Sequence, residues 1–369
     1  MKKRVCFISR YVYGYFSPEH GLTGGGAERQ INLLTNELKK EFDVHVIVGD
    51  YGQPKTEVRE GVTLHRSYPS QTRQNFLQPV KHMAVLTGAM RGADADVYIH
   101  RGGPRNMGFI YLVTRMLNSR FVYNIANDAN IHERPRELPK PIYSLFKHSL
   151  KNTEGVIAQT EYQRNELKNI YDVDSRVIGN GYPGVDSIVP HKKRSYFLWV
   201  GTLDEEQKRP HIFLDLAEEI PEQGFRVVGP VDTDKPYHRQ IKRRGKELTN
   251  VSVIGEVSPS EIHKHYRNAA AVVNTSSFEG FPNTFLEAWR QATPVVSLDI
   301  DTGRYLPTSI GYAEGDLDEL RRQVTKLGEN IDYRRELGEK MLDTFESRYS
   351  LKNIAREYSS YLSSVLNTD

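Results

Sequence analysis

The chain is poor in cysteine and tryptophan: Cys6 stands alone, and there are two tryptophans in 369 residues. One thiol excludes an intramolecular disulfide and every multi-cysteine metal site. Long apolar runs are also missing. No window approaches the 18 apolar residues of a membrane-spanning helix. Met1-Lys2-Lys3-Arg4 has the charge of a secretory leader, but the apolar run behind it, Val5 to Ser9, is five residues long and stops at Arg10. That is too short for a leader core and reads as a first strand. Excess charge is small as well. A net +3 excludes a dedicated nucleic-acid binder. The expectation is a cytoplasmic protein.

A chain with 38% apolar residues, 26% charged residues and a mean hydropathy of −0.58 is polar but globular. Its length suggests two or three domains. The charge is uneven. Residues 1–190 carry a net +6 and residues 191–369 a net −3. A basic first half is drawn to something anionic, such as lipid headgroups or a phosphate-bearing acceptor.

Short Val- and Ile-rich runs alternate with helical periodicity. Strands are predicted at 5–9, 44–48, 62–65, 96–100, 121–125, 155–160 and 176–179. Helices are predicted near 26–41, 77–91, 104–118, 141–152 and 161–170. After the basic stretch His191-Lys192-Lys193-Arg194-Ser195 the rhythm restarts. Strands then fit 196–201, 226–228, 251–255, 271–275 and 294–298, with helices between them and two more at the C-terminus. Such alternation specifies a parallel sheet covered on both faces. The expected fold is therefore α/β, with two doubly wound parallel-sheet domains, Rossmann-like, facing a cleft. The expected division is 1–190, 191–345, and a C-terminal helix at 346–369 packing back onto the first domain. Ligands in such sheets bind beyond the carboxyl ends of the strands.

Three stretches stand there. Gly24-Gly25-Gly26 precedes the first amphipathic helix, where glycines allow close backbone approach and free N–H groups favour an anion. A dinucleotide fingerprint would need its glycines directly after the strand. Here 10–23 intervene, so a dehydrogenase is rejected. There is no P-loop. Glu279-Gly280-Phe281-Pro282-Asn283-Thr284-Phe285-Leu286-Glu287 follows a strand and opens a helix. Pro282 is expected in the first helical turn, with the N–H groups of Asn283, Thr284 and Phe285 free for an anion. Two carboxylates around such a helix start suit a phosphate flanked by hydroxyl-rich rings. Lys208-Arg209-Pro210 brings two cations to another strand end, where they can hold a diphosphate.

Over nearly its whole length the chain resembles a retaining glycosyltransferase of family 4, with the GT-B fold. The resemblance rests on Gly24 to Gln30, on Phe197 to Ala217, and on Asn274 to Val296, which carries a Glu-x7-Glu spacing at Glu279 and Glu287. It implies that Lys208 neutralises a donor diphosphate. Glu287 would bind ribose hydroxyls, and Glu279 would face the donor sugar near the reacting carbon. Gly255, Glu256 and Val257 would line the base, and Gly24, Gly25 and Gly26 would close over the phosphates. Phe281, Asn283 and Thr284 fall on the donor side. Two positions depart from the family. Thr202 stands where an arginine is usual, with Arg209 as a substitute. Asn127-Asp128 stands where a histidine is frequent, which makes Asp128 the candidate to meet the sugar or acceptor hydroxyl, with His100 and His132 as alternatives.

On the acceptor side, Tyr13 and Tyr15 offer aromatic faces for a sugar ring or a membrane interface. The stretch Arg134 to Lys151 fits either an ordinary helix or a basic amphipathic one on an anionic membrane. The expected activity is metal-independent transfer of a sugar from a nucleotide-diphosphate sugar, UDP- or GDP-linked, to a glycan or lipid-linked hydroxyl. No cofactor is required, and contact with the membrane is peripheral. Two alternatives remain open: an epimerase or hydrolase of the same fold, and a non-catalytic nucleotide-sugar-binding protein.

Overall fold

A computed structural model describes residues 2–20, 24–69 and 78–367. The chain forms two compact units. The first comprises residues 1–181 and 351–369, the second 182–350. The predicted helix start at 77 lies outside the described residues.

The first unit holds an eight-stranded sheet. Its strands are β1 (Arg4–Ile8), β2 (Asp43–Asp50), β3 (Thr56–Arg59), β4 (Val62–Pro69), β5 (Val97–Arg101), β6 (Arg120–Asn124), β7 (Gly155–Ala158) and β8 (Arg176–Val177). They lie in the order β3-β4-β2-β1-β5-β6-β7-β8. All pairs are parallel except β3 with β4. β1, β5 and β6 are almost wholly buried, as a sheet covered on both faces requires. The strand order reverses between β1 and β5.

The second unit holds β9 (Tyr196–Val200), β10 (Gly224–Val228), β11 (Val251–Gly255), β12 (Ala269–Asn274) and β13 (Val295–Ser297). They are all parallel, in the order β11-β10-β9-β12-β13. Here the reversal falls between β9 and β12. In doubly wound sheets these reversals are where ligands bind.

Three local differences from the sequence reading have physical causes. β3 was not predicted. It is an edge strand with alternating exposure, joined to β4 by Glu60 (φ 50°) and Gly61 (φ 78°). Two positive φ values make the tight hairpin turn that matches strand twist. β7 ends two residues early because Gln159 N–H turns to Gln163 Oε1 (2.8 Å) and the Thr160 hydroxyl caps the helix Glu161–Tyr171. The helix predicted from 104 starts at Met107, because Pro104 instead accepts from Met107 N in a turn (3.3 Å).

The last helix, Leu351–Asn367, belongs to the first unit. Its Tyr358 hydroxyl accepts from Asn124 Nδ2 at the end of β6 (2.6 Å). The stretch Arg134 to Lys151 falls in two helices, Glu133–Arg136 and Lys140–Asn152. The second buries Phe146 and Leu150 in the first unit's core and exposes Ile142. No described helix is long and apolar enough to cross a membrane.

Candidate active site

In the second unit the chain leaves β9 through Gly201 and exposed Thr202. Asp204 then bends the loop back: its carboxylate accepts from Glu206 N (3.1 Å) and Gln207 N (2.6 Å). That return brings Lys208 and Arg209 against the end of β12. The buried Thr275 hydroxyl donates to the Lys208 carbonyl (2.6 Å) and accepts from Trp199 Nε1 (3.0 Å). Ser277 N donates to Gln207 O (2.8 Å). The loops after β9 and β12 are thereby closed on each other.

At the head of this junction the Lys208 ammonium is ion-paired with Glu279, both side chains being largely shielded. Two residues 71 apart in sequence meet there. Arg209 takes a left-handed conformation (φ 50°) just before the helix Pro210–Glu219. Its guanidinium donates to the Thr275 carbonyl (2.7 Å) and pairs with Asp299. Both partners are internal, so Arg209 braces this junction.

The helix after Glu279 runs from Asn283 to Trp289. Pro282 is its N-cap and not its first residue. Phe285 N–H, expected free, donates to Pro282 O (3.0 Å). Thr284 and Asn283 are half-buried at the helix start. The Phe281 ring is turned inward. It is 6% exposed and packs on Tyr305 (4.7 Å) and Tyr349 (5.1 Å). Glu287 is buried, and its Oε1 accepts from the Tyr182 hydroxyl (3.2 Å). Tyr182 escaped sequence reading as a site residue, although it lies in the Gly179-Asn180-Gly181-Tyr182-Pro183 segment.

Glycines form the edge beside this junction. Gly229 N donates to Gly255 O (2.9 Å), and Gly255 itself needs its φ of 88°. A Cβ on Gly229 would lie 1.8 Å from Gly201 O. The strand ends are thus packed backbone to backbone, with Val257 half-buried beyond them. Gly229 carried no sequence signal beyond being a glycine after a strand.

In the first unit, Gly25 is the extended N-cap of the helix Gly26–Leu38, and Arg29 N closes its first turn onto Gly25 O (3.1 Å). Gly24 has no room for a side chain, since a Cβ would meet Tyr15 at 2.7 Å. The Tyr15 hydroxyl donates to Gly24 O (2.9 Å), so Tyr15 braces the glycine loop. Tyr13 is 1% exposed and stacks on Tyr51 at 5.4 Å, so it is core and not an acceptor platform. The exposed aromatic there is Tyr11.

Beyond β1, β5 and β6 lies a cavity of about 570 Å³. His100 lines it and is buried. Burial holds its imidazole below the ordinary value, and a hydrogen bond to Gly103 O (3.2 Å) opposes that shift. Asn127 lines the cavity and Asp128 does not. Asn127 also caps the turn Asp128–Asn130, accepting from Asn130 N. The Asp128 carboxylate accepts from Gln163 Nε2 (2.8 Å). His132 stands outside this cavity, within 3.4 Å of the Tyr162 hydroxyl and of Glu166.

Asp-x-Asp spacings occur at 94/96, 172/174, 232/234, 299/301 and 316/318. Among the described residues, no three His, Cys, Asp or Glu side chains gather as a metal ion would need.

The family model described as Glycosyl transferases group 1 matches residues 194–330, and the one described as Glycosyltransferase Family 4 matches residues 24–185. The amylovoran biosynthesis glycosyltransferase AmsD of Erwinia amylovora is 28% identical over 165 residues, which span 41% of this chain and 44% of that protein. The O-antigen biosynthesis glycosyltransferase WbnH of Escherichia coli is 20% identical over 348 residues, 92% of this chain and 96% of its own. Among solved structures, the sucrose-phosphate synthase of Thermosynechococcus elongatus superposes with a TM-score of 0.78 at 15% identity, covering 99% of both chains. HepE of Anabaena, solved with UDP and glucose, gives 0.74 at 14% identity, over 98% of this chain and 100% of its own.

Proposed function

This chain belongs to the family 4 glycosyltransferases, with the GT-B fold, and from that premise we propose that it transfers a sugar, with retention of configuration, from a nucleotide-diphosphate sugar to a hydroxyl of a growing polysaccharide or lipid-linked glycan. One observation carries this reading. Lys208 and Glu279 are ion-paired beyond the carboxyl ends of β9 and β12, where the second sheet reverses its order, and Glu287 is buried in the helix that follows.

In this reading Lys208 meets the donor diphosphate and stabilises it as it leaves. A preorganised charge aimed where negative charge develops is an effective catalytic device, and it makes the reaction independent of a metal. Glu279, already paired with Lys208, faces the donor sugar. Glu287, oriented by Tyr182, takes the ribose hydroxyls. The glycine edge at Gly201, Gly229 and Gly255, with Val257, admits the base. UDP is the favoured nucleotide, since the structural neighbour HepE was solved with UDP and glucose. On the acceptor side, Asp128, held by Gln163, is the carboxylate proposed to meet the incoming hydroxyl.

The surface relatives supply the polysaccharide context, AmsD in amylovoran and WbnH in O-antigen biosynthesis. Peripheral contact with the cytoplasmic face of an anionic membrane belongs to the same reading. It rests on Lys140, Lys147 and Lys151, exposed beside Ile142 on one helix.

The test is a thermal-shift panel of UDP-, GDP- and ADP-sugars. A donor at 100 times its dissociation constant adds about 2.7 kcal/mol of stability. Product analysis with and without acceptor then separates transfer from epimerisation and hydrolysis. If none of the nucleotide sugars raises the melting temperature, the reading fails.

A further inference from the structure

The cavity beyond β1, β5 and β6 carries an unbalanced charge. Four arginines line it, Arg10, Arg101, Arg105 and Arg134, against two carboxylates, Glu28 and Glu137. His100, the imidazole of the lining, is disfavoured as a cation by its burial. The lining therefore carries a surplus of two positive charges.

Arg101 is the most constrained of the four. It is the last residue of β5, so its backbone is fixed by the ladders to β6 and β1. It is 7% exposed. Its Nη2 donates to Asn180 Oδ1 (2.6 Å), a neutral partner, and its buried Nε has no partner among the described residues. Arg134 donates to Asn130 Oδ1 (3.2 Å), and Arg10 lies over the Tyr68 ring at 4.8 Å. Among the described residues, Arg10, Arg101, Arg105 and Arg134 form no ion pair with each other's carboxylate neighbours or with any other acid. Glu28 and Glu137 line the cavity; the Glu28 charge acts on Arg101 from a distance, but neither carboxylate forms an ion pair with any of the four.

A buried guanidinium with no carboxylate in contact is costly, because a distant charge repays only part of its desolvation. Proteins keep such a group where a ligand supplies the charge. A planar fork with a spare N–H beside further guanidinium groups suits a tetrahedral oxyanion, which it can hold through two parallel bonds. A surplus of two charges matches a phosphoryl dianion and would overcompensate a single carboxylate.

We infer that this cavity is a phosphoryl-binding site, and that the acceptor presents a phosphate ester or diphosphate to Arg101. The assignment of that phosphoryl group to the acceptor rests on the proposed transfer reaction. The site itself rests on the arginines alone. The donor's diphosphate is the competing source of the same chemistry.

Equilibrium dialysis of radiolabelled inorganic pyrophosphate against the full chain, in the presence of saturating UDP, tests it. Saturable binding is expected. Arg101→Lys keeps the charge, loses the fork and should weaken binding at least tenfold. Arg105→Gln with Arg134→Gln, both at exposed positions, should do the same in a protein whose circular dichroism is unchanged, so the test survives if Arg101→Lys does not fold. Glu287→Ala should weaken UDP and leave pyrophosphate as tightly held as before. Loss of UDP binding in the unaltered chain would therefore sink the transfer reading while leaving this site standing. Three outcomes overturn the inference: no saturable pyrophosphate binding, binding indifferent to the arginine substitutions, or complete displacement of the probe by UDP.

Discussion

Lys208 and Glu279, 71 residues apart, are ion-paired at the meeting point of the loops that follow β9 and β12. Their side chains are only 23% and 12% exposed, so each holds the other's orientation in a partly dry setting. A diphosphate arriving there must share Lys208 with Glu279. The pair thus holds the cation in place in the absence of any ligand.

In the proposed transfer, Lys208→Ala removes a charge whose contribution would grow as the diphosphate leaves. Loss of one such preorganised group typically lowers kcat by about 10²–10³. Steady-state kinetics should show kcat falling together with donor affinity. An effect confined to KM would mean that Lys208 only binds the ground state.

Glu287→Ala should weaken UDP and the UDP-sugar alike. A charge-assisted hydrogen bond contributes about 1.5–3 kcal/mol, or roughly 10- to 150-fold in affinity. Calorimetric titration of a folded variant checks this. Unchanged nucleotide affinity would remove Glu287 from the site.

Asp128→Asn separates chemistry from turn structure. Asn127, not Asp128, caps the turn Asp128–Asn130. Stability should therefore survive Asp128→Asn and drop by about 1 kcal/mol in Asn127→Ala. Transfer should fall by about 10²-fold or more in Asp128→Asn if the carboxylate takes a proton, while UDP affinity stays within about threefold. Near-normal turnover would shift attention to His100.

Gly229→Ala places a methyl group 1.8 Å from Gly201 O, on backbone and not on a side chain that could swing aside. The strand ends must then part. The expected cost is about 1–3 kcal/mol, read as a lower denaturation midpoint with an unchanged slope.

Acid should destabilise the first unit through one ring pair. His45 Nδ1 and His65 Nε2 share a hydrogen bond at 2.8 Å. Burial, and then the neighbouring His45, push His65 down to about 4 from its ordinary 6.5. Burial also lowers His45, against the pull of Asp43. Below pH 6.5 the unfolded rings take up protons that the folded rings refuse. Their contribution is complete above that pH and is lost as pH falls toward 4. His65→Gln should flatten this part of the Tm–pH curve by ~2–4 °C. An unaltered curve would refute the assignment.

Much of the site was legible because its signals are local. Proline and glycine around Phe281 announce a helix start after a strand, and Lys208-Arg209-Pro210 does the same after β9. Side-chain direction was not legible. Phe281 falls on the donor side by resemblance, and only the structure shows its ring packed in an aromatic cluster with Tyr305 and Tyr349. Tyr13 likewise turns inward onto Tyr51. Nor is the ion pair of Arg209 with Asp299, 90 residues away, visible in the sequence.

By itself, the sequence determined the alternation of strand and helix and hence two parallel sheets. Those patterns are local: short continuous apolar runs for strands buried on both faces, and a period of 3.6 residues for the helices. Only the tertiary structure decided which charges are answered and which are not. Glu287 meets Tyr182 across 105 residues, and Arg101 meets a neutral asparagine across 79. Contacts at such separations depend on strand order and crossover. An ion pair, a brace or an unanswered guanidinium therefore becomes visible only once the sheets are assembled.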